Sequence, residues 1–220
     1  MEQGFRHEHK YIISQASAEL LKRRLPGFMQ YDPHAGTSGQ YTIRSLYFDD
    51  PHFTAVEDKL SGISDRVKYR LRCYNYDTAF VKLEKKEKHR DLTRKTGQTL
   101  TREQAENLQA GKVMAAEKLL QELQQQPALR PAVLVDYDRT PFVCNLAQTR
   151  ITLDENIRTA PYAGSLESNH LAMIPVLEPG QVVLEVKYNE YLPEYLDLAL
   201  ADIPKIQLAV SKYVLCASVI

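Results

Sequence analysis

Strand after strand of this sequence alternates charge with apolar bulk. The alternation is clearest from Arg66 to Lys88, RVKYRLRCYNYDTAFVKLEKKEK. Side chains of an extended chain point to opposite faces in turn. The first half therefore sets Lys68, Arg70 and Arg72 on one face and Val67, Tyr69, Leu71 and Cys73 on the other. The second half gathers Lys82, Glu84, Lys86 and Lys88, opposite Val81 and Leu83. If the apolar faces pack on helices, a wall of cations is left behind. Such a wall is costly unless something anionic fills it. For two strands alone, an ordinary solvated sheet face is the plainer alternative.

Other segments repeat the pattern. Arg6, Glu8 and Lys10 share a face in FRHEHKYIIS (5–14), and Tyr137 and Arg139 share one in RPAVLVDYDRT (130–140). Arg150 pairs with Thr152 in 142–153, and Glu185 with Lys187 in VVLEVKYN (182–189). Residues 41–48 form a further strand rich in β-branched and aromatic side chains. Helical spacing covers 16–25, with Ser14 as its N-cap and Leu20, Leu21 and Leu25 apolar. Shorter helices are expected at 53–60 and from Pro193 to about 201. Thr101 and Gln104 form a capping box for 101–110, with Gly111 just past its end. A second helix follows at about 113–125, so 101–126 reads as a helical insertion between strands. A last helix is expected over 203–220, with Ser211-Lys212-Tyr213 near its middle. Residues 32–39 and 160–181 read as loops, and 88–95 as a hairpin extension or loop.

These elements make an α+β chain, a single domain over 1–220. An ionic face repeated on about eight antiparallel strands is best accommodated by a closed β-barrel whose interior is a polar tunnel, with flanking helices. Formal net charge is zero, which argues against a general nucleic-acid surface. No apolar run reaches membrane-span length, and the N-terminus is too polar for a signal peptide. Cys73, Cys144 and Cys216 are odd in number and widely spaced, which fits reduced thiols in the cytosol. His7 and His9 lack a third metal ligand in view and read as packing residues.

On the inward face, cations outnumber acids. That excess suits a ligand with several negative charges, since arginine forks match phosphate oxygens. The few carboxylates are what a divalent metal needs alongside phosphate oxygens and water. No Ser/His/Asp set, Walker A loop or dinucleotide fingerprint is readable. Phosphoryl transfer here would rest on positioning and charge neutralisation. A barrel whose inward ions simply pair is the rival reading.

Eight short motifs sharpen the choice. They are R-x-E-x-K-Y at 6–11, S-L-Y-F-D at 45–49, Y-R-L-R at 69–72, L-E-K-K at 83–86, D-Y-D-R at 136–139, R-I-T-L-D at 150–154, L-E-V-K at 184–187 and S-K-Y at 211–213. In this order the chain resembles the VTC domain, the polyphosphate polymerase domain within the triphosphate tunnel metalloenzymes, which also include the CYTH phosphatases and cyclases. The resemblance implies a tunnel enzyme that moves the γ-phosphate of ATP to growing polyphosphate with Mn²⁺ or Mg²⁺. It implies catalytic roles for Lys10, Arg70, Arg72, Lys86, Arg139 and Arg150. Substrate contacts are expected from Tyr137, Lys82, Lys95, Lys187, Ser211 and Lys212, and metal ligation from Glu185 and Glu8. Arg6 stands where the wider superfamily has its first glutamate, which suits the VTC branch and weakens a triphosphatase reading. Ala209 replaces a lysine of the family's last helix. A tripolyphosphate or nucleoside triphosphate hydrolase and a non-catalytic polyphosphate binder are the alternatives. The expected ligands are ATP and inorganic polyphosphate, not nucleic acid. The expected place is the cytoplasm, held at the inner membrane face through a separately encoded membrane protein. Oligomeric state is left open.

Overall fold

The computed structural model describes residues 7–89, 92–112, 118–126, 128–162, 166–167, 171–208 and 211–220. Arg6 and Ala209 lie outside these residues, as does the start expected for the second insertion helix. In chain order the described elements are β1 (His7–Ser14), α1 (Gln15–Arg24), β2 (Gln30–Tyr31), β3 (Tyr41–Asp49) and α2 (Thr54–Leu60). Next come β4 (Arg66–Tyr74), β5 (Asp77–His89), β6 (Leu92–Thr101), α3 (Arg102–Gln109) and α4 (Lys118–Gln124). The chain closes with β7 (Arg130–Cys144), β8 (Thr149–Pro161), β9 (Ile174–Pro175), β10 (Gln181–Tyr188), α5 (Glu194–Ala201), β11 (Ile206–Gln207) and α6 (Lys212–Ala217).

The result is an α+β fold dominated by one antiparallel sheet. Its hydrogen-bonded order is β11-β1-β10-β8-β7-β3-β4-β5-β6, with β2 on β7 and β9 on β8. Pairing does not join β11 to β6 among the described residues, so hydrogen bonds do not close the sheet into the barrel expected above. The chain divides into two compact units, Met1–Thr42 with Tyr137–Ile157 and Leu177–Val210, and Ile43–Asp136 with Arg158–Val176 and Ser211–Ile220.

In the first unit, β10 lies between β1 and β8. Its register sets Lys10 opposite Glu185 and Glu8 opposite Lys187 on one side. On the other side it sets Glu185 opposite Thr152 and Lys187 opposite Arg150. The alternate residues Ile13, Ile151, Leu153, Leu184 and Val186 pack with Leu21 and Leu25 at α1 and Leu196 and Leu200 of α5. The Ser14 hydroxyl caps α1 by accepting from the Ser17 N–H at 3.1 Å. Leu20, apolar like Leu21 and Leu25, is exposed. His7 and His9 both stack on Tyr188.

In the second unit, β3, β4, β5 and β6 run as a meander. Asn75 and Tyr76 both have positive φ (49° and 60°), the backbone that a two-residue hairpin needs to match strand twist. Leu71, Cys73, Val81, Leu83 and Leu100 pack against Leu108 of α3 and Leu120 of α4. The Thr101–Gln104 capping box is present, and Gly111 takes the left-handed conformation past α3 (φ 69°).

Three boundaries depart from expectation. The last helix is only Lys212–Ala217. Pro204 cannot supply the N–H that a helix interior requires, and Ile206–Gln207 instead pairs with β1. Ser211 is therefore the N-cap of α6, accepting from the Val214 N–H, and not a mid-helix residue. β7 continues through Pro141 to Cys144. β8 continues past Asp154-Glu155-Asn156 to Pro161, with Asn156 at φ 50°.

Candidate functional site

The sequence-predicted residues fall into two clusters, one in each unit. In the first unit, Glu8, Lys10, Arg139, Glu185 and Lys187 meet. Lys10 donates to Glu8 and stands 3.7 Å from Glu185. Lys187 donates to Glu185 at 2.9 Å and lies 4.0 Å from Glu8. Arg139 donates through Nε and an NH2 nitrogen to the two oxygens of Asp154 at 2.6 and 2.7 Å. The same terminal nitrogen reaches Glu185 at 3.3 Å. Burial works against the Arg139 charge, but Asp154 outweighs it and holds the guanidinium well above its ordinary pKa. Tyr137 lies with its ring 5.2 Å from the Arg139 guanidinium. Arg150 donates to the Tyr41 hydroxyl at 3.0 Å and pairs with Asp32 at 2.9 Å.

In the second unit, Arg70, Arg72 and Lys95 converge on one carboxylate. Arg70 donates to Glu84 Oε2 at 2.7 Å, while Arg72 and Lys95 reach Oε1. Arg70 also donates to the Tyr47 hydroxyl at 2.9 Å. Burial alone would raise the Glu84 carboxyl, but Arg70, Arg72 and Lys95 overcome it and hold it down at about 2. Burial lowers Lys95 to about 8 in spite of Glu84, with Arg72 and Arg70 adding to the shift. Lys86 is the register partner of both Lys68 and Lys95. Lys82 stands opposite Arg72, 5.9 Å from the Tyr74 ring. Ser211 and Lys212 open α6.

Acids are more deeply involved than the alternation suggested. Asp154, Asp32 and Asp49 join the polar groups, and Asp154 is fully buried. Alternation carried two residues past Thr152 would have found Asp154, whereas Asp32 sits in a turn that gives no such signal. The buried Arg44–Asp136 pair, with bonds of 2.9 and 2.7 Å, depends on strands β3 and β7 that are distant in sequence.

Glu8 and Glu185 offer hard oxygen donors and share Lys10 and Lys187 as neighbours. That donor set suits a small divalent cation that keeps phosphate and water among its ligands. Among the described residues, no group of three or more His, Cys, Asp or Glu side chains is placed to hold a metal by itself.

A family model for the VTC domain matches residues 5–220. The chain belongs to the VTC domain family. Membership implies a triphosphate or nucleotide substrate and the class of phosphoryl transfer. Two solved structures share the VTC chain's fold. One is the crystal structure of a "putative adenylate cyclase" from Bacillus halodurans, 16% identical, covering 92% of this chain and 89% of that one, with TM-score 0.52. The other is the PH1819 protein from Pyrococcus horikoshii OT3, 12% identical, covering 98% and 100%, with TM-score 0.50. No curated protein matches this VTC chain. Among its described residues, no helix is long and apolar enough to cross a membrane.

Proposed function

We propose that this VTC domain is a metal-dependent polyphosphate polymerase, transferring the γ-phosphate of ATP to a growing polyphosphate chain. The observation that carries the reading is the fate of the family motifs. Y-R-L-R and L-E-K-K supply the Arg70–Arg72–Glu84 cluster, and D-Y-D-R and L-E-V-K supply the Arg139–Glu185 cluster. Each puts guanidinium donors beside a buried carboxylate, Glu84 in the one and Glu185 in the other.

In this reading Arg70, Arg72, Lys86, Arg139, Arg150 and Lys10 bind and orient phosphate oxygens. Guanidinium and ammonium donors fixed in place neutralise the charge of the transferring group without reorganising during the reaction. Tyr137, Lys82, Lys95, Lys187, Ser211 and Lys212 add substrate contacts. Glu185 and Glu8 would hold Mn²⁺ or Mg²⁺, which supplies further neutralisation of phosphate charge when bound. The polar tunnel, action as one domain over 1–220, and a cytoplasmic place beside a separately encoded membrane protein belong to the same proposal, on the strength of the family.

Incubation with ATP and Mn²⁺, resolving polymer from orthophosphate, tests it. Polymer that is lost in Arg70→Ala and Glu185→Ala is the expected result. Orthophosphate without polymer would replace the reading with a hydrolase, and ATP or polyphosphate binding without turnover would replace it with a binder. Full activity in both variants would overturn the assigned site.

A further inference from the structure

Beside the carboxylate-centred row Arg70–Glu84 lies a row of a different kind. Lys68, Lys86 and Lys95 are in direct register across β4, β5 and β6. Like charges directly opposite one another on a sheet repel. Lys95 leans back to Glu84. Lys68 has no such recourse: among the described residues no carboxylate forms an ion pair with it. Its ammonium lies 4.9 Å from the centre of the Tyr213 ring instead. The ring is held rigidly. Tyr213 is 1% exposed, stacks on Tyr47 at 4.5 Å and donates its hydroxyl to Asp49.

We propose that Lys68, seated against the Tyr213 ring, is an additional phosphate contact of the cationic wall, and that it takes up a proton when a polyphosphate anion binds. The inference rests on the reading of this wall as a phosphate site. The groups that act on Lys68 are Arg66 on its own strand, Lys86 on β5, Lys59 on α2, Asp49 on β3 and Tyr213 on α6. Burial, then Arg66, then Lys86 and Lys59 lower the ammonium to about 8, and Asp49 opposes them only in part. A phosphate placed on Lys68 supplies the anion that the fold withholds. The charged form is then favoured, and binding draws a proton from solution.

Calorimetric titration of tripolyphosphate into the full chain tests this. The titrations run from pH 7.5 to 9.5, each in two buffers of different ionisation enthalpy, with wild type, Lys68→Met and Lys68→Arg. Lys68→Met should bind roughly tenfold or more weakly at pH 7.5, the scale of one lost charge-assisted contact. Lys68→Arg cannot lose its proton in this range. It should keep most of the affinity, show less proton uptake than wild type, and lose less affinity as pH rises. Equal affinity in Lys68→Met and wild type overturns the proposal, and so does an unchanged proton count in Lys68→Arg. In either of those cases wild-type binding leaves the phosphate reading standing. No wild-type binding of tripolyphosphate at any of these pH values overturns both.

Discussion

Arg70 and Glu84 are register partners across β4 and β5, and the Arg70 Nε donates to Glu84 Oε2 at 2.7 Å. The same carboxylate also receives Arg72 and Lys95. Glu84 is 4% exposed, so three cations are organised by one buried anion. Removing its charge leaves them repelling one another. Glu84→Gln should lower unfolding stability by roughly 3 kcal/mol, the scale of breaking a buried ion pair. The freed guanidinium groups should bind tripolyphosphate at least as tightly as in wild type, since the internal competitor is gone. Denaturant unfolding and anion titration on the same samples check both halves. Weaker anion binding in a folded Glu84→Gln protein would show that Glu84 aims the arginines more than it competes for them.

Glu84 also sets a pH dependence. Its folded-state pKa, about 2, lies below the ordinary 4.5. The stabilisation is therefore complete above pH 4.5 and is lost as pH falls toward 2. The loss should amount to about 3 kcal/mol over that window. Denaturant midpoints measured from pH 6 down to about 2 should fall more steeply in wild type than in Glu84→Gln. Equal slopes would assign the acid sensitivity to other carboxylates.

Much of this was legible in the sequence, for a local reason. Alternation of charge and apolar bulk is a property of each strand alone, so Arg70, Arg72 and Glu84 could be placed on one face of a hairpin before any fold was known. Capping is local too, and Ser14 and the Thr101–Gln104 box fall where their side-chain chemistry requires. Pairings between distant strands were not legible. Asp32 meets Arg150 across a long stretch of chain, and Arg44 meets Asp136 only because β3 and β7 are neighbours in the sheet. The end of the chain misled because Leu208 to Ile220 has helix-compatible residues, while Pro204 and the short pairing of β11 with β1 decide the path before it.

The Arg139–Asp154 pair should behave as a unit. Both residues are buried, and the contact is bidentate. Asp154→Asn should cost about 3–5 kcal/mol, because it removes the full charge and one of the two acceptors that face a desolvated guanidinium. Replacing both, as Arg139→Met with Asp154→Leu, should cost less than the two single losses added together. Chemical denaturation of the four proteins gives the coupling directly. Additive losses would mean that each residue is held mainly by other neighbours.

Tyr213 and Asp49 fix the start of α6. One Asp49 oxygen accepts from the backbone N–H groups of Asp50 and Ala55 at 2.9 and 3.2 Å, and the other accepts from the Tyr213 hydroxyl. A carboxylate that is 1% exposed thus ties α2 and α6 to the end of β3. Burial, together with Asp49, raises the Tyr213 hydroxyl well above its ordinary pKa, so it stays a donor throughout the working range. Tyr213→Phe keeps the ring under Lys68 and on Tyr47 but removes that donor. It should destabilise the protein by about 1–3 kcal/mol, the cost of leaving a buried acceptor short of a partner. Ser211 and Lys212 precede Tyr213 directly, so their positions should loosen with it. Amide exchange should quicken in Lys212–Ala217 before it does in β4, and KM for ATP should rise more than kcat falls. Uniform loss of protection across the whole second unit would mean that the hydroxyl supports the core generally and does not act as a latch on α6.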